Sequence, residues 1–366
     1  MSGSTWKKRL GSISPVGKLL IAVNIVLLVG FAASVLGLYA VGSSFETVTA
    51  AQRFSGESGI RFAQLGCFFP VGEGKNEETV WTMRQTLESK FVEQSLEPPE
   101  GGSLFLDAYS ASASVSVSTD HGSAQVSAIG VGGNFFYFHP LRLRSGAYIA
   151  ERDLMDDLVV LDELLAWRLF GGMELTGMTL FINGQPFVVA SVVAMEDDFA
   201  TDRALNREGS LFLSYSALQR LDETLTIDCY EIVLPDPISG YARGIMEQLL
   251  PLKEESMVEN SGRFSLPRLW TIIGSFGERS MRTGAVIYPY WENALRFAED
   301  CAALLLVLAA LTILFPLTTL IVLAMRGIRA LGSFLRSVAA ARFDDAVEQH
   351  KEKRHSRLAA KDTEGE

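Results

Sequence analysis

Any chemistry in this chain of 366 residues has to come from a short set of side chains. The histidines are His121, His139, His350 and His355. A zinc site built on imidazole, or a Ser–His–Asp arrangement, needs one of them held beside carboxylates or a nucleophile. His139 precedes Pro140 inside an apolar stretch, which favours a packed structural imidazole over a ligand. There is no Gly-x-Ser-x-Gly elbow and no Cys-x-x-Cys pair. Gly17-Lys18 and Gly74-Lys75 both lack the upstream glycine of a phosphate-cradling loop, Phe69 standing where the second would need it. Asp153, Asp156 and Asp157, and then Glu196, Asp197, Asp198 and Asp202, lack the alternating oxygen ligands and central glycine of a calcium loop. They are expected as solvated loops. The residues therefore point to no catalytic site, no metal and no cofactor, and energy input would have to come from a partner.

The elements that carry these residues are membrane elements first. Residues 19–41 and 301–325 contain no charge. At about 1.5 Å per residue, each block is longer than the roughly 30 Å hydrocarbon core of a bilayer. Asn24 and Pro316 are tolerable within a span, where neighbouring helices satisfy freed backbone groups. The first block exceeds a signal-peptide core of about 7–15 residues and no small-x-small cleavage site follows it, so it is expected to stay as a span.

Lys7, Lys8, Arg9 and Lys18 precede the first span; Arg326, Arg329, Arg336 and Arg342 follow the second before Asp344. Glu299 and Asp300 sit just ahead of the second block. This asymmetry predicts both termini in the cytoplasm of a two-pass protein of the cell membrane. The expected organisation is a cytoplasmic N-terminus at 1–18, a span at 19–41, an extracytoplasmic domain at 42–298, a span at 299–325 and a cytoplasmic tail at 326–366. The outer segment carries nearly two acidic residues for every basic one, within a net charge of −11 for the chain, which disfavours nucleic acid as a partner. Cys67 and Cys229 both fall in that segment and could pair.

Within the outer segment the pattern mixes helices and strands without a βαβ rhythm, so an α+β domain is expected. Residues 77–96 read as an amphipathic helix with Val80, Met83, Leu87 and Phe91 along one side, broken at 97–102. Ser110, Ser112, Ser114, Ser116 and Ser118 alternate with Ala111, Ala113, Val115 and Val117, the period of a half-buried strand. Asp120-His121-Gly122 turns it into a second strand at 124–131. Gly132 to Phe138 is aromatic, expected as core with an edge turn, and Phe135, Phe136 and Tyr137 are candidate partner-contact residues. Residues 158–161 read as a strand, then a helix capped by Asp162 runs to Phe170, and Asn183-Gly184 turns a hairpin between 178–182 and 186–193. Strand and helix candidates also fall at 211–218, 230–234 and 245–250.

Read together, residues 130–193 resemble the MacB-type periplasmic core domain of ABC-transporter permeases, the MacB/FtsX-like family. The matching pieces are Gly133-Asn134-Phe135-Phe136, Pro140 to Leu143, Gly146 and Asp153. The strand Leu158 to Leu161, the helix Leu165 to Gly171 and the hairpin Gly177 to Val192 follow in the same order. The resemblance implies an extracytoplasmic fold of that type and a membrane part moved by a partner ATPase. Family permeases have four spans where this chain shows two, so it resembles a reduced permease component or accessory: a non-enzymatic membrane subunit coupling a partner ATPase or full permease to an outer domain, with a homo-oligomer as a further partner. The alternative is a membrane-anchored extracytoplasmic sensor or protein-interaction module not tied to transport. In the tail, Ile328, Leu331, Leu335, Val338 and Ala339 recur at helical spacing among Arg326, Arg329 and Arg336. That pattern predicts a basic amphipathic helix at the inner membrane surface, which either anchors the topology or docks a cytoplasmic partner.

Overall fold

A computed structural model describes residues 14–56, 59–96, 102–151, 153, 155–196, 198–204, 209–253, 256–276 and 286–363, with side chains through residue 343 apart from 341. Lys7, Lys8, Arg9, the 97–101 part of the expected helix break, Asp197, and the side chains of Asp344, His350 and His355 lie outside the described residues. The chain divides into two compact units, Gly37–Leu306 and the pair Met1–Leu36 with Val307–Glu366.

The larger unit is built on a ten-stranded mixed sheet. In chain order its elements are α2 (Ala50–Ser55), β1 (Phe62–Phe68), α3 (Glu77–Glu93), β2 (Leu106–Thr119), β3 (Gly122–Gly133), α4 (Phe135–Phe138), β4 (Leu143–Gly146), β5 (Leu158–Asp162), α5 (Glu163–Phe170), β6 (Thr179–Ile182) and β7 (Gln185–Val193). After these come α6 (Thr201–Ala204), β8 (Ser210–Ser214), α7 (Tyr215–Leu221), β9 (Cys229–Pro235), α8 (Tyr241–Leu249), β10 (Met257–Glu259) and α9 (Leu266–Ile273). The strands lie in the order β10-β1-β9-β2-β3-β8-β5-β7-β4, with β6 joining β2 to β7. The pairs β3–β8 and β5–β7 are parallel; the other ladders are antiparallel. This is the α+β domain expected from the mixed pattern.

Each face of the sheet carries its own core. On one face α3, α5, α7 and α8 cover Leu65, Ala111, Val115 and Leu161. On the other, α2, α4 and Trp291 cover Phe68, Ile129, Val160 and Phe212. The sequence periods explain the elements. Asn76 caps α3, its side-chain oxygen accepting from the Thr79 N–H at 2.9 Å. The helix then buries Val80, Met83, Leu87 and Phe91. The serine–alanine alternation forms the β2–β3 hairpin, Ala111, Val115 and Val117 buried while Ser112, Ser114 and Ser116 face solvent. Asp162 caps α5 through the Leu165 N–H at 2.7 Å and also accepts from Ser210 N at the start of β8. Asn183 and Gly184, with φ of 48° and 82°, make the tight turn between β6 and β7 that needs two left-handed residues.

One open pairing is resolved and one expectation is corrected. Cys67 stands opposite Tyr230 and Cys229 opposite Phe68, adjacent rungs whose side chains leave the sheet on opposite faces. Cys67 lies in one core and Cys229 in the other, so they do not pair; both are buried and free. Burial pushes the Cys67 thiol up to about 12, which leaves it unreactive as well as inaccessible. The tail differs too. It is no separate helix: α10 runs without interruption from Tyr290 to Thr363, through Pro316 and past Arg326, Arg329 and Arg336. Gly327 and Gly332 lower the helix propensity there without breaking the helix.

In the smaller unit, α1 (Pro15–Ser43) and α10 contribute their apolar blocks. Both helices are long and apolar enough to cross a membrane. A Cβ on Gly30 would lie 3.4 Å from Thr312 Cγ2, and the Ser34 hydroxyl folds back onto the Gly30 carbonyl at 2.9 Å. Small residues at such a contact are how helices approach closely where lipid offers no hydrophobic contrast.

Asp228, just ahead of β9, is half-buried, with one carboxylate oxygen enclosed and the other accepting from Ser112 N at 3.1 Å. Burial pushes its carboxyl up to about 7, the Ser112 N–H opposing that shift. The folded value lies above the ordinary one of about 4. Its contribution to stability is therefore fully present below about pH 4 and is lost as the pH rises through 7. Asp228→Asn is expected to raise the melting temperature at pH 8 and to change it little at pH 4, as thermal unfolding at the two pH values would show.

Candidate functional site

Glu292, Arg296 and Glu299 follow one another at intervals of four and three, so they share one face of α10 just before its uncharged block. Facing them is the turn between β10 and α9, which delivers Arg263. That guanidinium is buried. Its two terminal nitrogens meet the Glu292 carboxylate at 2.7 and 2.9 Å, the fork-to-fork geometry that only arginine offers. It also reaches Glu299, Nη2 at 3.3 Å and Nε at 3.1 Å, and donates to Asn260 Oδ1 at 2.8 Å. Arg296 holds the other side of Glu292 at 2.6 Å, and Arg268 of α9 holds Glu299 at 3.0 Å. Arg296 in turn lies 3.8 Å over the Tyr288 ring.

Burial opposes the Arg263 cation, and the Glu292 and Glu299 carboxylates outweigh it, holding the guanidinium above its ordinary value. Three cations thus clamp two carboxylates in a water-poor pocket. Breaking such a cluster at one member is costly, because the remaining charges stay buried without their partner.

The aromatic turn closes the same joint from the sheet. Phe135 stands 5.6 Å from Trp291 of α10 and 6.0 Å from Phe212 of β8, ring to ring. His139 packs 4.6 Å from the Trp291 ring and its Nε2 meets the Glu231 carboxylate of β9 at 2.5 Å. The imidazole is a structural one. At the exit of α1, Gln64 of β1 accepts from Ala50 N at 3.0 Å and donates to Thr47 O at 2.7 Å. Both helical entries into the domain are therefore tied to the sheet by buried polar contacts.

The candidate partner-contact residues fare differently. Phe135 is a core residue, only 2% exposed. Phe136 is half-buried, stacked 4.5 Å from Tyr148. Tyr137 remains exposed beside Arg53. Arg326, Arg329 and Arg336 are exposed on α10 in the smaller unit. His121 lies in the β2–β3 turn with its backbone N–H on Thr119. Among the described residues no group of three histidine, cysteine or acidic side chains could hold a metal. A cleft of about 140 Å³ opens beside Glu77, Tyr109, Glu151 and Asp156. It is smaller than the roughly 300–1,000 Å³ typical of small-molecule sites.

Sequence reading passed over Arg263, and took Glu299 only as a flank of the span. The one local signal was the spacing of Glu292, Arg296 and Glu299 ahead of an apolar block. Charges on one helical face there have to find partners in protein.

Comparison with known proteins finds a family match that ends ahead of Arg263. The model of the MacB-like periplasmic core domain matches residues 19–239. No curated protein matches by sequence. The solved periplasmic region of MacB from Actinobacillus actinomycetemcomitans is similar over 61% of this chain and 94% of its own, at 16% identity and a TM-score of 0.41. The extracellular domain of the noncanonic ABC-type transporter YknZ from Gram-positive bacteria is similar over 54% of this chain and 99% of its own, at 13% identity and a TM-score of 0.37.

Proposed function

This chain belongs to the MacB-like periplasmic core domain family, and from that premise we propose that it is a non-enzymatic membrane subunit of an ABC-type transporter assembly. In this reading it passes motion between its helices and its extracytoplasmic domain, and a partner ATPase or full permease supplies the energy. The observation that carries the reading is the buried joint of Arg263 with Glu292 and Glu299. A helix held to the sheet by clamped charges cannot tilt or slide without moving the domain. Nothing in the joint is arranged to attack or to protonate a substrate.

The two spans are 19–41 and 299–325, with 42–298 outside and both termini in the cytoplasm, supported by Lys18 before the first and Arg326, Arg329 and Arg336 after the second. The α1 face carrying Gly30 is used against Thr312 within the chain. Contacts with a partner span or a second copy would therefore use the exposed apolar faces, such as Leu28, Leu36, Leu311 and Leu320.

Extraction in mild detergent tests the proposal. The tagged chain should recover an ATP-hydrolysing partner or a full permease; recovery of the chain alone, or with a kinase or sigma-factor regulator, would overturn it. Topology is tested separately. Cys67 is buried and cannot serve as a probe. On a Cys301→Ser background, Val71→Cys, at a position 69% exposed, is expected to react with an impermeant thiol reagent in intact cells. Arg336→Cys should react only after permeabilisation, and the reverse pattern would invert the orientation.

A further inference from the structure

Helix α9, Leu266–Ile273, is apolar on two sides. One side, Leu269 and Ile272, is buried against Ala302 and Ala303 at the start of the uncharged block of α10, with Leu306 and, from α1, Leu38 and Val41 packed around them. The other side is bare: Leu266 is 58% exposed and Trp270 66% exposed, with Phe276 exposed just beyond the helix end. An eight-residue helix with that much exposed apolar surface needs an occupant.

Its height along α10 says which. Arg268 of α9 reaches back to Glu299, beside Asp300 the last acid before the apolar block. Leu269 and Ile272 contact residues only a turn further into that block, and a turn is about 5.4 Å. The helix therefore covers the level at which α10 changes from charged to apolar, beside the last turns of α1. That level is the boundary between water and hydrocarbon. Tryptophan is enriched at that boundary because its ring is apolar and its N–H is polar. The segment 265–276 contains no acid to be repelled by anionic headgroups.

We propose that α9 is an interfacial foot, its Leu266–Trp270 face seated among the lipid headgroups and upper acyl chains of the outer leaflet. The occupant is the bilayer, and the proposal rests on α1 and α10 spanning it. Through Arg268 the foot is bonded to the same Glu299 that Arg263 holds, so the depth of the foot and the root of α10 are mechanically one piece.

The test uses the full chain in phosphatidylcholine vesicles containing lipids brominated near the headgroup end of the acyl chain. Tryptophan emission should be quenched by these lipids, and Trp270→Phe should remove most of the lipid-quenchable emission. Leu266→Glu, with Trp270 kept, should shift the remaining emission to the red and weaken the quenching. Both variants are compared after matched circular dichroism and thermal unfolding. Unchanged quenching in Trp270→Phe overturns the proposal. So does quenching that appears only when the protein is diluted in lipid, which would assign the face to a second copy. Alkaline carbonate extraction reads the underlying premise independently, because loss of the chain from the membrane pellet would mean that the helices do not span.

Discussion

Arg263→Met is expected to destabilise the extracytoplasmic domain by about 3–5 kcal/mol, the range for removing one member of a buried ion cluster. The variant leaves Glu292 and Glu299 at 1% exposure or less, with the side of the clamp contributed by the β10–α9 turn gone. Arg296 still meets Glu292, and Arg268 still joins Glu299 to the Glu259 carbonyl of β10, but neither comes from that turn. The root of α10 would keep that bridge, the Tyr290 hydroxyl on Glu196 and the packing of Trp291 on Phe135 and His139, without the Arg263 fork. Arg263→Lys keeps the charge but cannot bridge Glu292 with a planar fork, so it should recover only part of the loss. Urea unfolding of the full chain in detergent, followed by near-ultraviolet circular dichroism, reads both variants. An Arg263→Met protein as stable as the parent would show that the cluster holds nothing together.

Gly133→Val is expected to be worse still, on the order of 4 kcal/mol or more, in the exceptional class of single substitutions. Gly133 has φ of 63°, a left-handed conformation that a β-branched residue does not tolerate. Its added Cβ would also fall 2.6 Å from the Asp107 carbonyl oxygen and 3.1 Å from Ala108 Cα. Both are backbone atoms of β2, which pairs with β3 at that rung. The same carbonyl accepts from Asn134 N at 2.9 Å, so relief by backbone movement would cost that bond as well. Movement there would carry α4 with it and pull Phe135 from Trp291. Protease resistance of the domain in membranes, beside the unfolding curve, would reveal the loss.

Much of the fold was legible because it is local. The alternation around Ser112 and Val115, the left-handed pair Asn183-Gly184 and the Asp162 cap each specify their element within a few residues. The two uncharged blocks did the same for the helices. Two features escaped because their causes are distant or mixed. Arg263 and Glu292 are 29 residues apart, and a lone arginine in a polar stretch carries no local sign that it will be buried. Helix α9 is short, opens with Pro267 and is apolar on two faces, so no single helical stripe stood out. Cys67 and Cys229 could not be judged until the register of β1 against β9 put them on opposite faces. The tail pattern at Ile328 and Leu331 was a true helical period, but nothing local marked it as the continuation of α10.

The coupling role itself is tested most directly by hydrogen–deuterium exchange on the chain purified from membranes with its partner, with and without ATP. Nucleotide-dependent protection changes are expected in the domain at residues 256–265 and along β9. They should be lost in Arg263→Met even where the partner still binds and hydrolyses ATP. Exchange in the domain that is identical with and without nucleotide would contradict that role.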